Sequence, residues 1–313
     1  MESILEVKDL KKYYKESKAV NGLSFNLYKG EILGFLGPNG AGKSTTINIL
    51  STILKHDEGK IKFFGKDIRD NTKCIKAQLG IVPQELAIFE EISAYKNVEF
   101  FTSLYGLSGK NLKNAVLEAL KMVGLEDKKD SKPITFSGGM KRRLNIACAI
   151  AHKPKILILD EPTVGIDPQS RNHILESIRK LRDNGTTIIY TTHYMDEDEE
   201  IADRVVIMDS GTKIAEGTIP ELMESYKNTR IYKISIDTVI NNFKFDFLYE
   251  IEGIQKVDFT DNCLSITTIK EIENLDKIIL SLIDRNIKIN HITSEEGNLE
   301  MVFLKLTGRK LRD

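Results

Sequence analysis

The spacing of apolar residues predicts two kinds of strand. Continuous apolar runs occur at 31–36, 80–82, 155–159, 186–191 and 205–208. Runs of this kind are typical of strands that are covered on both faces, as in a parallel sheet. Imperfect alternation at Ile4–Leu10 and Ala19–Leu27 predicts strands with one buried face, separated by Lys11–Lys18. The first part of the chain is therefore expected to be α/β.

Apolar residues at helical spacing fill the stretches between these strands. A helix with Ile47, Leu50 and Leu54 on one face is predicted after the first continuous run. Further helices are predicted around Val98–Val123 and from Ser137 onwards. Because these helices follow one another without an intervening strand, they predict a helical lobe, about 85–152, inserted into the α/β core.

The composition changes after Glu224. The segments that follow are predicted as strand, helix (near Phe243 to Tyr249), strand, strand, helix and strand, with a closing helix at 299–306. This βαββαβ order is the ferredoxin-like pattern. We therefore expect residues 1–224 to form one domain and 225–313 a small α+β accessory domain.

Composition and charge argue against a nucleic-acid-binding protein, a disulfide-stabilised protein, a secreted protein and a membrane-spanning protein. The 313 residues carry a net charge of −1, which gives no support for a nucleic-acid-binding face, and the three cysteines are far apart. The N-terminus lacks the features of a signal peptide, and no apolar run approaches ~20 residues. A cytosolic protein is expected. The acidic run Asp196–Glu200 is interpreted as the solvated start of a helix.

A glycine-rich loop lies between the first continuous apolar run and its helix. Its residues are Gly37, Pro38, Asn39, Gly40, Ala41, Gly42, Lys43, Ser44 and Thr45. They fit the phosphate-binding pattern G-x-x-x-x-G-K-[ST], in which backbone N–H groups and a helix N-terminus surround phosphate. Lys43 is expected to neutralise phosphate charge, and the Ser44 hydroxyl to ligate Mg²⁺.

Polar residues end three of the other predicted strands. Asp160 could hold the Mg²⁺ shell, and Glu161 could polarise a water for attack on a γ-phosphate, although both could also be an acidic helix cap. His193 could reach the γ-phosphate or be an ordinary turn residue, and Gln84 could touch Mg²⁺ and water or be a plain loop residue. Ser137-Gly138-Gly139 opens a helix, so it is either a second anion site or a simple serine cap.

Together these motifs resemble the ATP-binding cassette (ABC) family over about residues 3–220. Gly37–Thr45 resembles its Walker A motif, Ile156–Glu161 its Walker B motif with the catalytic glutamate, and Phe136–Met140 its signature motif. In addition, Gln84 matches the Q-loop, His193 the switch histidine, Asp167 the D-loop, and Tyr14 (less well Tyr13) the adenine-stacking aromatic. The signature departs from the usual form at Phe136 and Met140, which leaves the serine hydroxyl and glycine amides in place.

The resemblance implies a fold and a set of partners. The fold would be a P-loop NTPase cassette, with a RecA-like parallel core, an antiparallel β-subdomain and a helical subdomain. Two cassettes would pair head to tail, so that Ser137, Gly138, Gly139 and Met140 act on the ATP held by the partner subunit, with Mg²⁺ bound by Ser44, Gln84 and, through water, Asp160.

The end of the chain, Asn298–Arg309, is similar to the closing motif of cassettes that serve drug-resistance and ABC-2 type exporters. We therefore expect an ATPase subunit that lies on the inner face of the membrane and powers a separate permease, with no nucleic acid bound. The alternative is a soluble cassette acting on ribosomes or DNA, but the chain has one cassette, no coiled-coil insert and no basic excess.

Overall fold

The protein is described from a computed structural model covering residues 2–15, 17–224, 228–237, 245–260, 262–296 and 298–307. The chain divides into two compact units, one built on Met1–Ile219 and the other on Pro220–Lys305. The domain limits expected from composition, 1–224 and 225–313, stay a prediction. Among the described residues, no helix is both long and apolar enough to cross a membrane.

The first unit contains an antiparallel sheet and a mainly parallel sheet. The antiparallel sheet has the order β2-β1-β4-β5 and contains β1 (Ser3–Tyr14), β2 (Ser17–Tyr28), β4 (Glu58–Phe63) and β5 (Lys66–Asp67). The other sheet has the order β10-β9-β3-β8-β7-β6 and contains β3 (Ile32–Leu36), β6 (Leu79–Val82), β7 (Ile156–Asp160), β8 (Thr187–Thr192), β9 (Arg204–Asp209) and β10 (Thr212–Gly217). All neighbours in it are parallel except β9 and β10.

Helices cover the parallel sheet, whose central strands are buried on both faces. They are α1 (Lys43–Leu50), α2 (Thr72–Lys76), α3 (Ala94–Ser103), α4 (Gly109–Met122), α5 (Gly138–Ile150), α6 (Pro168–Asp183) and α7 (Met195–Ile201), with short 3₁₀ turns at Glu126–Lys128 and Pro133–Thr135. A short helix, α8 (Ile219–Leu222), follows β10. One core cluster joins the antiparallel sheet, α1 and one face of β3, β7 and β8. A second joins the opposite face of these strands to α3, α4, α5 and α6. The predicted cassette fold with its inserted helical lobe is confirmed.

The second unit has the predicted ferredoxin-like topology. Its strands, β11 (Thr229–Asp237), β12 (Ile254–Thr260), β13 (Cys263–Ile269) and β14 (Lys288–Glu296), form an antiparallel sheet in the order β12-β13-β11-β14. Helix α9 (Leu275–Ile283) packs on one face, and α10 (Leu299–Thr307) follows β14. The helix predicted near Phe243 is a 3₁₀ helix at Asp246–Glu250, and Phe243 itself lies outside the described residues.

Two predicted boundaries differ from the structure. Strand β1 runs on to Tyr14 and β2 begins at Ser17, so most of the expected Lys11–Lys18 connection is strand. Ion pairs of Lys11 with Glu58 and of Lys12 with Asp57 support this extension, which apolar alternation does not reveal. Helix α1 ends at Leu50, so Leu54 lies beyond it.

Candidate nucleotide site

Parallel strands bring the predicted site residues to one edge of the sheet. Strand β3 leads into Gly37, β7 ends at Asp160 and β8 is followed by His193, while Gln84 lies just after β6. Because β6, β7, β8 and β3 are adjacent and parallel, their carboxyl ends lie side by side. Ligands of open α/β sheets bind at this edge.

The phosphate loop turns sharply into α1 at Gly42. This residue is the helix N-cap, with a φ of 98°, a conformation that side chains rarely adopt. A Cβ added there would also lie 2.4 Å from the carbonyl oxygen of Ala19. Only glycine satisfies both conditions, so this residue allows the first free N–H groups of α1 to face the loop.

Lys43 lies in the mouth of this loop. Its side chain is 5% exposed, and its Nζ donates to the carbonyl oxygens of Gly37 (2.6 Å) and Pro38 (3.2 Å). Burial lowers the pKa of Lys43, and the nearby carboxylates of Glu161, Asp160 and Asp198 oppose that shift. A phosphate oxygen is a stronger acceptor for this buried cation than the neutral loop carbonyls, because the hydrogen bond then joins two charged groups.

Glu161 is the point at which the predicted groups meet. Its Oε1 lies 3.9 Å from Lys43 Nζ and 3.4 Å from His193 Nδ1, while its Oε2 accepts a hydrogen bond of 3.1 Å from Gln84 Nε2. The contact with His193 is not a hydrogen bond, and His193 Nδ1 has no hydrogen-bond partner among the described residues. Four of the residues assigned to the site from the sequence therefore lie together in the structure, and their roles stay a prediction.

The backbone of Glu161 is held in an unusual conformation. Its φ is 46°, in the left-handed region that non-glycine residues rarely occupy. The Glu161 N–H donates to both the carbonyl oxygen (3.2 Å) and the Oγ1 (3.0 Å) of Thr191. Since Thr191 Oγ1 also donates to Asp160 at 2.7 Å, one threonine orients both acidic residues.

The oxygen groups of Asp160 and Ser44 suit Mg²⁺. Burial raises the pKa of Asp160 above its ordinary value. Hydrogen bonds from Thr191 and Ser44 and the charge of Lys43 offset only part of that rise. No cluster of three or more His, Cys, Asp or Glu side chains able to hold a metal occurs within the described ranges. This donor set fits Mg²⁺, which takes one or two protein carboxylates and completes its shell with water and nucleotide phosphates.

Two tyrosines end β1, and they differ in what they contact. Tyr13 donates its N–H to Asp57 at 2.8 Å and its hydroxyl to Glu58 at 3.5 Å. The side chain of Tyr14 is 48% exposed, with Lys12 Nζ 5.7 Å from the ring centroid. The exposed ring of Tyr14 is therefore the better candidate for stacking on adenine.

Ser137 and Asp167 both cap helices. The Ser137 side chain accepts the Met140 N–H at 3.3 Å and opens α5, while the Asp167 carboxylate accepts the Ser170 N–H at 2.9 Å and opens α6. That bond is the largest of those that lower the pKa of Asp167. In the described part of the chain, no hydrogen bond or ion pair joins Ser137–Met140 to the phosphate loop of the same subunit. The serine cap and an anion site for a second subunit are compatible, since both use the N-terminus of α5.

The prediction of a solvated acidic run was wrong for two of its residues. Glu197 and Asp198 are completely buried on α7. Glu197 forms an ion pair with Arg171 at 2.9 Å and accepts hydrogen bonds from a group of hydroxyls, those of Tyr190, Thr163 and Thr192. Asp198 instead packs against Gly34, where an added Cβ would lie 2.3 Å from its Oδ1. Helix α7 turns these two carboxylates towards the sheet, which the charge pattern alone did not indicate.

Sequence comparison identifies relatives along almost the whole chain. The linearmycin resistance ATP-binding protein LnrL of Bacillus subtilis is 42% identical over 99% of this chain and 100% of its own length. The chain belongs to the ABC transporter family. The profile of that family, described as "ABC transporter", matches residues 20–164 of the ABC protein. The daunorubicin/doxorubicin resistance protein DrrA of Streptomyces peucetius is 34% identical over 99% of this chain and 94% of its own length.

Solved cassettes have the same fold as the first unit. The structure of cbiO1 from Clostridium perfringens, described as part of the ABC transporter complex cbiONQ, covers 72% of this ABC protein and 92% of its own chain, with 34% identity and a TM-score of 0.67. A dimeric post-hydrolysis structure of the cassette MJ0796 bound to ADP and Pi covers 68% and 98%, with 28% identity and a TM-score of 0.63. The chain is thus an ATP-hydrolysing, nucleotide-binding subunit of an exporter-type ABC transporter, as its motifs predicted.

Some functional residues were not predicted from the sequence. Thr191 and the buried Glu197 were not assigned a role, nor was Arg142, which donates to the carbonyl oxygens of Pro83 and Gln84. The structure, not the sequence, reveals the burial of Arg142, which lies on the same face of α5 as the buried Gly139 and Ile146. A charged residue on such a face indicates a specific partner.

Proposed function

We propose that this ABC protein works as a head-to-tail homodimer with two composite ATP sites. In each site ATP would lie between the Gly37–Thr45 loop of one subunit and Ser137–Gly139 of the other. The α5 N-terminus supports this arrangement, because it presents N–H groups and a hydroxyl but no nucleotide-binding half of its own. ATP binding would close the dimer, and hydrolysis would reopen it.

The observation that carries the catalytic proposal is the contact of Glu161 with Lys43, Gln84 and His193. Glu161 would accept a proton from a water molecule while the oxygen of that water attacks the γ-phosphorus. The bond between the γ-phosphorus and the β,γ-bridging oxygen would break, and ADP would leave with the electron pair. Lys43 would hold phosphate oxygens, and His193 would align the water with Glu161. Mg²⁺, held by Ser44, Asp160 through water, and Gln84, would neutralise phosphate charge.

Glu161→Gln tests the role of the general base. The amide keeps the size of the side chain but cannot accept a proton, so turnover is expected to fall ~10²–10⁴-fold. MgATP binding should persist, and a dimer should accumulate in size-exclusion chromatography with ATP. Hydrolysis at the wild-type rate would refute the assignment of Glu161 as the base.

The proposed transport partner is a separate membrane-spanning permease, which would hold this subunit on the inner face of the cell membrane. Several large apolar side chains are exposed beside Gln84 and along the helical lobe: Leu86, Phe89, Ile92, Phe100 and Leu104. Phe89 and Phe100 contact edge to face, with their ring centroids 5.3 Å apart. An exposed patch of this kind favours a protein partner, and its position beside Gln84 would couple the permease to the ATP site.

Co-purification from detergent-solubilised membranes of the native cell tests this partner. The tagged wild-type chain should bring down an integral membrane protein, and Phe100→Asp should reduce its recovery at least fivefold. Phe259→Asp is the matched control, since Phe259 is also exposed but belongs to the second unit. Recovery of ribosomes without a membrane protein would refute the exporter proposal. The resistance relatives support export of an antibiotic-like compound, although the cargo would be chosen by the permease.

A further inference from the structure

Arg142 joins the signature helix to the segment that carries Gln84. It lies on α5, five residues after Ser137, and its side chain is 5% exposed. Its Nη1 donates to the Pro83 carbonyl oxygen at 2.9 Å and its Nη2 to the Gln84 carbonyl oxygen at 2.6 Å. One planar guanidinium therefore fixes two successive peptide groups.

The same segment is fixed to the catalytic residue from its other side. The Gln84 side chain donates to Glu161 Oε2 at 3.1 Å. A series of direct contacts thus runs from Glu161 through Gln84 to Arg142, and along one and a half turns of α5 to Ser137. Since α5 is a regular helix, a rotation of its N-terminus moves the Arg142 fork as well.

We propose that Arg142 is a positioning residue that sets Gln84 against Glu161 and so makes hydrolysis at one ATP site depend on the signature motif of the same subunit. That motif faces the other ATP of the dimer, so Arg142 would couple the two sites. The inference rests on the proposed head-to-tail dimer. Its chemical basis is the pair of charge-assisted hydrogen bonds to backbone carbonyls, which only arginine can make with this geometry.

A purely structural role does not explain why an arginine is buried here. Burial lowers the pKa of Arg142, and its Nε has no acceptor among the residues that the structure describes. An apolar side chain would fill the same space without an unpaired polar atom. The arginine is therefore accounted for by the two carbonyls that it holds.

The adjacent Arg143 provides a matched control. It lies on the same helix and is also partly buried, and its Nη1 donates to the carbonyl oxygens of Val123 (2.9 Å) and Gly124 (3.2 Å). Both acceptors belong to the helical lobe. Arg143→Gln thus removes a similar set of bonds without touching the segment around Gln84.

The first test is a double-mutant cycle in the ATPase assay. Arg142→Gln should lower kcat at least tenfold with little change in KM, and should bring the Hill coefficient for ATP close to one. In a Gln84→Ala background the same change should alter kcat less than twofold, because its effect passes through Gln84. Arg143→Gln should change kcat less than threefold in both backgrounds. Multiplicative effects of Arg142→Gln and Gln84→Ala would overturn the proposal.

The second test does not depend on ATP turnover. Hydrogen exchange in the nucleotide-free protein should be faster at 83–90 in Arg142→Gln, with Arg142→Lys intermediate, whereas Arg143→Gln should affect 121–126 instead. Unchanged exchange at 83–90 would overturn the positioning role even if the ATPase effects were large. A wild-type chain that does not hydrolyse ATP would instead refute the proposed function, and exchange at 83–90 would still decide whether Arg142 holds the loop.

Discussion

Asp198 is expected to destabilise the folded protein at neutral pH, so that Asp198→Ala should be stabilising. Both carboxyl oxygens are buried against β3 and have no hydrogen-bond partner within the described ranges. Burial, together with repulsion from Glu197 and Glu199, raises the pKa of Asp198 well above its ordinary value, and the attraction of Lys43 opposes this only in part. The folded state therefore favours the protonated form.

The size of the effect follows from two contributions. Removing an unpaired buried polar group relieves about 1–3 kcal/mol. The cavity left by the three heavy atoms of the carboxyl group costs about 1 kcal/mol, at roughly 24 cal/mol per Å³ of cavity.

The free energy of unfolding of the wild type is also expected to decrease as the pH rises. A carboxyl whose pKa is raised on folding stabilises the fold below its unfolded pKa, about 3.9, and loses that contribution as pH rises to the folded pKa, at about 1.4 kcal/mol per pH unit.

Urea denaturation of the full chain, followed by circular dichroism at pH 5, 6, 7 and 8 without nucleotide, measures this difference. Asp198→Ala should be more stable than the wild type, by a margin that grows with pH until the folded pKa is reached. Asp196→Ala is the control, because Asp196 is exposed on the same helix. A margin that stays constant with pH, or a destabilised Asp198→Ala, would refute the reasoning.

Two further predictions concern nucleotide binding. Lys43→Ala should weaken MgATP binding at least tenfold in a fluorescent-nucleotide titration, because a buried cation at the phosphates is lost; unchanged affinity would contradict its role. Tyr14→Ala should raise the KM for ATP several-fold with little change in kcat, since stacking on adenine contributes about 1–3 kcal/mol per base by analogy with nucleic acids. Tyr13→Ala should have the smaller effect, and the reverse order would show that the two tyrosines were assigned wrongly.

The strands that carry the site were predictable because they are buried on both faces. Continuous apolar runs at β3, β7 and β8 are typical of parallel strands that are covered on both faces. The residues that follow such strands lie at one edge of the sheet. The position of Glu161 beside Gln84 therefore follows from sequence order and topology together.

The features that were missed depend on tertiary contacts. The β1–β2 hairpin extends through polar residues, because backbone pairing and ion pairs such as that of Lys12 with Asp57 continue where apolar alternation stops. Burial of Asp198 depends on the absence of a side chain at Gly34, far away in sequence. The acceptors of Arg142 are backbone carbonyls, which have no signature in the sequence.

The left-handed backbone of Glu161 has a consequence for protein engineering. A non-glycine residue with a φ of 46° is strained by about 1 kcal/mol, and glycine adopts this conformation freely. Replacement by glycine would thus relax the fold while removing the carboxylate that contacts Lys43. A selection for yield or heat tolerance alone would favour inactive variants at this position, so directed evolution of this ATPase must score turnover alongside stability.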